Sequence, residues 1–383
     1  MTSKAQIPRF HLSLDPSLRA KTAAALLCAL IILGAIPGAL GAKPPRYSYR
    51  STYTFENRGE EPYTLVEDDT EIPLFTDNKW QSVIIIDSSH EILDEHTDED
   101  GNPVGFMDLP SEIQAGGTLV FSVEYFLESI GMEQPLIDPA QSGEISDIPE
   151  RLVETYTPET ETFRRNEEIE ALALELAAGR IDVLEIVTDV LDWVVSRVNY
   201  RNFEVPLYPD ETLEDLQGDC DDQAILMITM LRSLGIPAFL QIGVVFSESI
   251  SSEKASWEGH LTFVQKGMGW HGWVMVYVPP WGWIPVDLTL TSARDPLDMI
   301  QSAPEYASNI VTAFNVSEQQ YIGGSRSSRE ALIASDIYIT VADIAIENPD
   351  TSFWDSYTLI GAVVIGGTAL VGIYVLLSRK NRG

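Results

Sequence analysis

Three residues that are far apart in the sequence have the side-chain types that a thiol-dependent acyl transfer requires. Cys220 begins a predicted helix, and His271 and Asp287 lie on two consecutive predicted strands. A thiol becomes a strong nucleophile when a base removes its proton, and the base acts best when an acid fixes its orientation. The three side chains therefore predict a nucleophile, a base and an orienting carboxylate.

Cysteine usage favours a free thiol at position 220. The chain has two cysteines, and the other, Cys28, lies inside an apolar segment near the N-terminus. Cys220 therefore has no partner for an intramolecular disulfide in the polar part of the chain. The alternative is a small buried hydrophobic residue, because free cysteine is often buried. The flanking residues argue against simple apolar burial, since they are Asp219, Asp221 and Asp222.

The local pattern places Cys220 in the first turn of a helix. Gly218 interrupts the preceding structure, apolar residues follow at helical spacing from Ala224 to Leu234, and Gly235 and Pro237 end the pattern. The N-terminus of a helix stabilises an anion, so this position is expected to lower the pKa of the thiol. The neighbouring aspartates oppose that effect, and we expect an ion pair with His271 to supply much of the shift.

The second segment predicts a β-hairpin that carries the base and the acid. Alternation puts His271 on an aromatic strand face with Trp273, Met275 and Tyr277, and three valines on the opposite face. Pro279, Pro280 and Gly282 indicate a turn, and residues 283–287 read as the partner strand. The hairpin would bring the Asp287 carboxylate beside the imidazole of His271, where it fixes the tautomer.

Three motifs occur in one order: VLDWVVSRVNY, then ETLEDLQGDCDDQAILMITMLRSLGIPAFLQIGVV, then HGWVMVYVPPWGWIPVDLT. Over roughly residues 165–292 the sequence resembles the transglutaminase-like superfamily core of papain-like cysteine enzymes. The resemblance implies an α+β fold in which a Cys-bearing helix packs on an antiparallel sheet, and a catalytic triad of Cys220, His271 and Asp287. Many relatives carry glutamate where this chain has Met275. His260 lacks the following tryptophan and a correctly spaced aspartate, so we expect a surface or supporting role.

The remaining polar sequence predicts further modules around this core. Residues 43–130 contain short alternating strands separated by turns, which predicts a small β-sandwich. Residues 131–165 are predicted to form a linker or arm, 166–300 the transglutaminase-like domain, and 301–356 an extension and stalk. The acidic turn at residues 94–102 contains part of a calcium loop without its distal glutamate, so we expect a solvated hairpin. The sequence predicts no metal site and no cofactor.

Two apolar segments, residues 22–42 and 357–377, have basic residues on their outer sides. Each is long enough to cross a bilayer core of about 30 Å as a helix. The positive-inside rule then predicts that residues 1–21 and the basic tail 378–383 are cytoplasmic, and that the large domain lies outside the cell membrane. A cleavable signal peptide is an alternative for the first segment, and it leaves the orientation of the large domain unchanged.

The net charge of the chain limits the kinds of partner that it can bind. The chain has 58 Asp and Glu against 24 Lys and Arg, a net charge of −34. Such a surface repels nucleic acid. The expected partners are the lipid bilayer and a protein or peptide substrate outside the cell. The sequence leaves two function classes open: a cysteine enzyme that acts on peptide or glutamine amide bonds, with water or an amine as acceptor, and a membrane-tethered binding or scaffolding module without turnover.

Overall fold

The computed structural model describes residues 44–347. Eight strands come first in this part of the chain and helices mixed with further strands follow, which is an α+β arrangement. The α-helices of this part of the chain are α1 Glu150–Tyr156, α2 Glu167–Ala177, α3 Val183–Arg197, α4 Pro209–Asp215, α5 Cys220–Ser233, α6 Pro296–Gln301 and α7 Tyr321–Ile333. Its strands are β1 Arg46–Asn57, β2 Tyr63–Thr64, β3 Glu71–Pro73, β4 Gln81–Ser88, β5 Ile92–Thr97, β6 Pro103–Met107, β7 Glu112–Ile113, β8 Thr118–Ser129, β9 Asn199–Tyr200, β10 Gln217–Gly218, β11 Ala238–Ser256, β12 Leu261–Val278, β13 Gly282–Val286, β14 Ile310–Val316 and β15 Ile337–Glu347.

One large sheet organises the described residues. Its eight strands include a continuous path in the order β14-β11-β12-β15-β1-β8-β4, and β13 also pairs with β12. β12 and β15 run parallel, whereas the other pairings in this sheet are antiparallel. Helix α5 packs against β11 and β12, and α2, α3 and α4 pack against α5. The helix that carries Cys220 is therefore surrounded by protein.

The strands predicted as a separate β-sandwich belong to this same sheet. β15 lies between β12 and β1, so the strands of residues 46–129 continue the sheet that carries His271. Their apolar side chains share one core with Val244, Phe246 and Met268 of β11 and β12. The prediction of an independent module is therefore wrong. The alternating pattern identified strands, but it carries no information about which distant strand each one pairs with.

The predicted arm and C-terminal extension are also integral to the core. The buried guanidinium of Arg232, at the end of α5, donates hydrogen bonds to the carbonyl oxygens of Ala238, Pro158 and Ser317 at 2.8, 3.1 and 3.3 Å. Pro158 comes from the arm and Ser317 from the extension. A polar composition predicted a linker here, but a buried cation must be hydrogen-bonded, and both segments supply its acceptors.

The acidic turn near residue 100 is docked onto the protein. Asp100 accepts hydrogen bonds from the backbone N–H groups of residues 317–319, at 2.8, 2.8 and 3.2 Å. Asn102 and Asn315 are joined by two further hydrogen bonds, at 2.7 and 2.8 Å. The prediction of a solvated hairpin is wrong for this part of the turn, because its side chains fix the segment after β14.

The predicted membrane segments fall outside this description. Between residues 44 and 347, no helix has the length and apolar character needed to cross a bilayer. The apolar segments 22–42 and 357–377, with the basic residues that flank them, lie outside the described residues.

Candidate active site

Helix α5 presents Cys220 at its first position. Asp219 is the N-cap residue, and its backbone N–H donates to the side chain of Asp222 at 3.1 Å. This hydrogen bond helps to fix the start of the helix, since the first turn of a helix has N–H groups with no helical acceptor. The sequence prediction of a helix that ends near Gly235 is confirmed. Cys220 itself is a free thiol at an intermediate level of exposure.

The hairpin of β12 and β13 joins His271 to Asp287. The register pairs Val274 with Val286, so Asp287 follows the last paired residue of β13 and lies diagonally across from His271. His271 Nε2 and Asp287 Oδ2 are 2.6 Å apart, and both side chains are buried. The short distance between two buried groups indicates a strong hydrogen bond that fixes the ring.

The backbone holds the Asp287 carboxylate in place. Its Oδ1 accepts from the N–H groups of Thr289 and Leu290 at 2.7 and 2.8 Å. Burial by itself raises the pKa of Asp287, but the hydrogen bond and charge of His271, together with these two N–H groups, lower the pKa below its usual value. Asp287 is therefore an anion that can orient His271 and stabilise an imidazolium.

The Cys220 thiol lies against β12 at Gly272, the residue that follows His271. The backbone N–H of Gly272 favours the anion of the sulfur, and a side chain at Gly272 would meet Ile242 at 2.9 Å and Asp221 at 3.3 Å. The absence of a side chain lets α5 approach the strand closely. Within residues 44–347, no hydrogen bond joins Cys220 to His271, and Nδ1 of His271 has no hydrogen-bond partner. Because Nε2 is bonded to Asp287, Nδ1 is the nitrogen left to serve as a base.

The electrostatics of the thiol differ from the sequence expectation. Burial raises the pKa of Cys220, and the negative charges of Asp221 and Asp219 raise it further. The N–H groups of Gly272 and Asp221 oppose this rise without reversing it. The prediction that the helix N-terminus lowers the thiol pKa is therefore wrong for the resting protein. Desolvation and like charges outweigh the helix terminus here.

The three aspartates around Cys220 differ in charge state. Burial, with help from Asp221, raises the pKa of Asp219 to about 10. Burial also raises the pKa of Asp222 to about 7, although the N–H groups of Leu207 and Asp219 favour its anion. Asp221 accepts a hydrogen bond from the hydroxyl of Tyr321 at 2.9 Å. At neutral pH, Asp219 is thus mostly protonated, which limits the negative charge beside the sulfur.

A cavity of 470 Å³ lies beside the start of α5. Asp219 and Asp221, the two residues that flank Cys220, form part of its wall. Phe203 and Trp270 supply aromatic surface, while Glu204 and Lys254 are the other charged residues that line it. A cleft with apolar walls and a few polar groups next to a nucleophile is the usual form of a substrate site.

Two groups of potential metal ligands occur among the described residues. Asp219, Cys220 and Asp221 form one, and His271, Asp287 and Glu305 form the other, with ligand atoms within 4.8 Å of one another in each. In the second group, the direct 2.6 Å contact between His271 and Asp287 occupies the atoms that a metal would need. Sequence reasoning missed Glu305, because a single glutamate in the sequence SAPEYAS has no periodic or motif signal.

His260 and Met275 have structural positions. His260 is 9% exposed, its Nδ1 is 2.8 Å from the carbonyl oxygen of Ile337, and its ring stacks on Tyr338 at 4.1 Å. His260 thus connects the start of β12 to β15. This agrees with a supporting role, which was one of the two roles expected from the sequence. Met275 is buried in a cluster with Trp273 and Ile310. Its apolar environment is compatible with the absence of the glutamate that many relatives have.

The comparisons with known proteins bear on this core. Residues 170–288 match the transglutaminase-like superfamily and form a domain of that type, which confirms the resemblance. A candidate cysteine protease from Cytophaga hutchinsonii is 17% identical, with 82% of this chain and 93% of that one covered, at a TM-score of 0.49. A candidate protease from Parabacteroides distasonis is 12% identical (72% and 68% covered, TM-score 0.25), and Legionella pneumophila LapG is 18% identical (44% and 95% covered, TM-score 0.24). No curated protein matches the sequence.

Proposed function

We propose that the transglutaminase-like domain of this chain is a cysteine enzyme that acts on peptide or glutamine amide bonds through a thioester. The observation that carries the proposal is that the Cys220 thiol lies at Gly272 of β12, the residue after His271, while Asp287 fixes Nε2 of His271. These positions support the assignment of a nucleophile, a base and an orienting acid, the groups that acyl transfer needs.

In the first step of the proposed reaction, His271 Nδ1 takes the proton of Cys220 Sγ as the sulfur attacks the substrate. The sulfur attacks the amide carbon, and the carbonyl oxygen becomes an oxyanion. The N–H of Cys220, as the first residue of α5, has no helical acceptor and is available to this oxyanion. The tetrahedral intermediate collapses as the carbon–nitrogen bond breaks, and His271 returns the proton to the leaving amine. A thioester on Cys220 remains.

The thioester is then attacked by water or by an amine. In both cases His271 Nδ1 removes a proton from the attacking group, and the thiolate leaves and is reprotonated. Water gives a peptidase or amidase, whereas an amine gives a transglutaminase. The two outcomes share the acylation step, so the triad supports both equally.

The raised pKa of the thiol affects the timing of the first proton transfer. A resting ion pair of thiolate and imidazolium is not favoured, because burial and Asp221 hold the proton on sulfur. We propose that proton transfer to His271 accompanies the attack on the substrate, as in general base catalysis. The Asp287 anion stabilises the imidazolium that forms.

The residues that line the cavity beside α5 favour substrates of a particular charge and polarity. At neutral pH the charged lining of the cavity consists of Glu204, Asp221 and one cation, Lys254, while Asp219 is mostly neutral. A negative field disfavours acidic substrates and favours neutral or basic ones. We therefore propose that the peptide segment next to the reactive amide is neutral or basic, with aromatic or aliphatic side chains against Phe203 and Trp270.

We propose a location on the cell membrane, with the described residues on the outer side. The basis is the pair of apolar segments 22–42 and 357–377 with basic outer flanks. The partners in this proposal are the bilayer and an extracytoplasmic protein or peptide, and nucleic acid is disfavoured by the acidic surface. Protease added to intact cells should degrade residues 44–347 and spare an epitope placed after Arg382; the reverse pattern would refute the orientation.

A binding module without turnover is the second candidate. The high pKa of the thiol and the lack of a Cys220–His271 hydrogen bond within residues 44–347 favour it. The test is to incubate the full chain with a library of glutamine-containing peptides, with and without a primary amine, and to analyse it by mass spectrometry. The enzyme proposal predicts a mass gain on Cys220 together with released product, and neither in Cys220→Ala. Peptide binding without either signal would establish the binding module.

A further inference from the structure

A second carboxyl group is buried behind the His271–Asp287 pair. Glu305 belongs to the single helical turn Pro304–Tyr306 and is 2% exposed. One of its carboxylate oxygens lies within 4.8 Å of the ligand atoms of both His271 and Asp287. Neither oxygen has a hydrogen-bond partner when both carboxyl groups are ionised, whereas a proton on Glu305 would give it a donor for the nearby Asp287 carboxylate.

The surroundings decide which carboxyl group holds the proton. Asp287 accepts three hydrogen bonds, from His271 and from the backbone N–H groups of Thr289 and Leu290. Glu305 has no comparable set of donors: neither carboxylate oxygen has a hydrogen-bond partner, and only its own backbone N–H favours its anion. Three donors stabilise an anion at Asp287, whereas an ionised Glu305 would be a buried charge without a partner, which is very costly. The proton therefore belongs on Glu305.

The electrostatics of the pair agree with this assignment. Burial raises the pKa of Glu305 well above its usual value, and the negative charge of Asp287 raises it further. The titratable groups that face Glu305 are Asp287 and His271 from the hairpin and Tyr306 from the same turn. Two carboxyl groups in contact cannot both ionise readily, so the difference between their environments separates their pKa values.

We propose that Glu305 is a positioning residue whose neutral carboxyl group donates a hydrogen bond to Asp287 and thereby holds the carboxylate against His271. The catalytic consequence rests on the proposed function, but the hydrogen bond itself does not. By sharing the charge of Asp287, Glu305 prevents that carboxylate from taking the Nε2 proton when the imidazolium forms. It also restrains the Asp287 carboxylate, so that Oδ2 stays directed at Nε2 of His271.

Two variants of Glu305 separate its polar role from its packing. Glu305→Gln keeps the size and a donor, whereas Glu305→Met keeps the size and removes the donor. We expect Met to lower kcat by about 10–100-fold with little change in KM, as when a group that orients a catalytic residue is lost, and Gln to restore most of that loss. Glu248→Gln, which removes an exposed carboxylate, is the control. Equal losses in Gln and Met would overturn the positioning role.

A stability measurement tests the protonation state without any turnover. Because the pKa of Glu305 is raised in the folded state, its contribution to stability is fully present below its unfolded pKa of about 4.3 and is lost as pH rises toward the folded pKa. Over that window the folding equilibrium constant of the parent should fall about tenfold per pH unit relative to Glu305→Gln. Parallel pH profiles of urea unfolding for the full-length proteins would show that Glu305 is ionised and would refute the proposal.

The imidazole provides a second readout that needs no substrate. The NMR signal of the proton on His271 Nε2 reports the hydrogen bond to Asp287. We expect Glu305→Met to shift this signal and Glu305→Gln to leave it near the parent position. If the signals of the two variants behave as expected but the parent forms no acyl-enzyme, the proposed function fails while the role of Glu305 stands. An unchanged signal in Glu305→Met would overturn the role of Glu305 whatever the activity.

Discussion

Replacing Asp287 by asparagine tests how the dyad is oriented. Asp287 Oδ1 accepts from the N–H groups of Thr289 and Leu290, at 2.7 and 2.8 Å, and its Oδ2 faces His271 Nε2 at 2.6 Å. The amide oxygen of Asn would keep the two backbone donors, because leaving them unpaired costs about 1–3 kcal/mol each. The amide NH₂ group must then point at Nε2.

This geometry reverses the imidazole tautomer. An NH₂ group at Nε2 requires that nitrogen to be the acceptor, so the proton moves to Nδ1, the nitrogen that faces the thiol side. A protonated Nδ1 cannot accept the proton of Cys220. The loss of the correct tautomer and of the charge that stabilises imidazolium should lower kcat by about 10⁴-fold, equivalent to about 5.4 kcal/mol.

The assay is turnover of a peptide found in the library screen, with kcat and KM measured separately. The thiol of Asp287→Asn should remain alkylatable, because Cys220 is unchanged, and nitrogen NMR should report the proton on Nδ1 of His271. Asp298→Asn, which removes an exposed carboxylate on α6, serves as the control. A kcat of Asp287→Asn within about threefold of the parent would refute the reasoning, since it would correspond to under 1 kcal/mol.

Three further changes test other parts of the structure. Asp221→Asn removes the nearest charge that raises the Cys220 pKa, so the midpoint of iodoacetamide alkylation should move to lower pH by about one pH unit, and by less in Asp219→Asn; an unchanged midpoint would contradict the electrostatic account. A fragment of residues 158–296 should remain unfolded by circular dichroism because it lacks β14, β15 and β1, and a cooperative melt would contradict the continuous sheet. Asp343→Ala should lower the free energy of unfolding in urea by at least about 3 kcal/mol, because it leaves Tyr49, Ser51 and Trp270 without their acceptor; a loss below about 1 kcal/mol would show that the network is not structural.

The helix and hairpin of the site could be predicted because their signals are local. Apolar spacing after Gly218 identifies α5, and strict alternation around His271 with a Pro-rich turn identifies β12 and β13. The contact between His271 and Asp287 follows from hairpin pairing, which joins residues close in sequence. The order of the three motifs is also sufficient to predict the α+β fold of the core.

The errors all concern contacts between distant segments. The pairing of β15 with both β1 and β12 cannot be read from the alternation of any one strand, so the sheet was divided into two modules. The docking of Asp100 on residues 317–319 is likewise invisible locally. The pKa of the thiol cannot be predicted from its place in the helix, because burial, which is a property of the whole fold, outweighs the helix terminus.

The most direct test of the central claim is the pH dependence of Cys220 alkylation in the full chain and in His271→Ala. If His271 is the general base for the Cys220 thiol, its removal should lower the alkylation rate at neutral pH by about 100-fold or more, because proton removal during the attack on iodoacetamide loses its assistance. His260→Ala, which removes the other buried histidine of residues 44–347, should leave the rate unchanged. Superimposable profiles for the parent and His271→Ala would contradict the claim that these two residues act together.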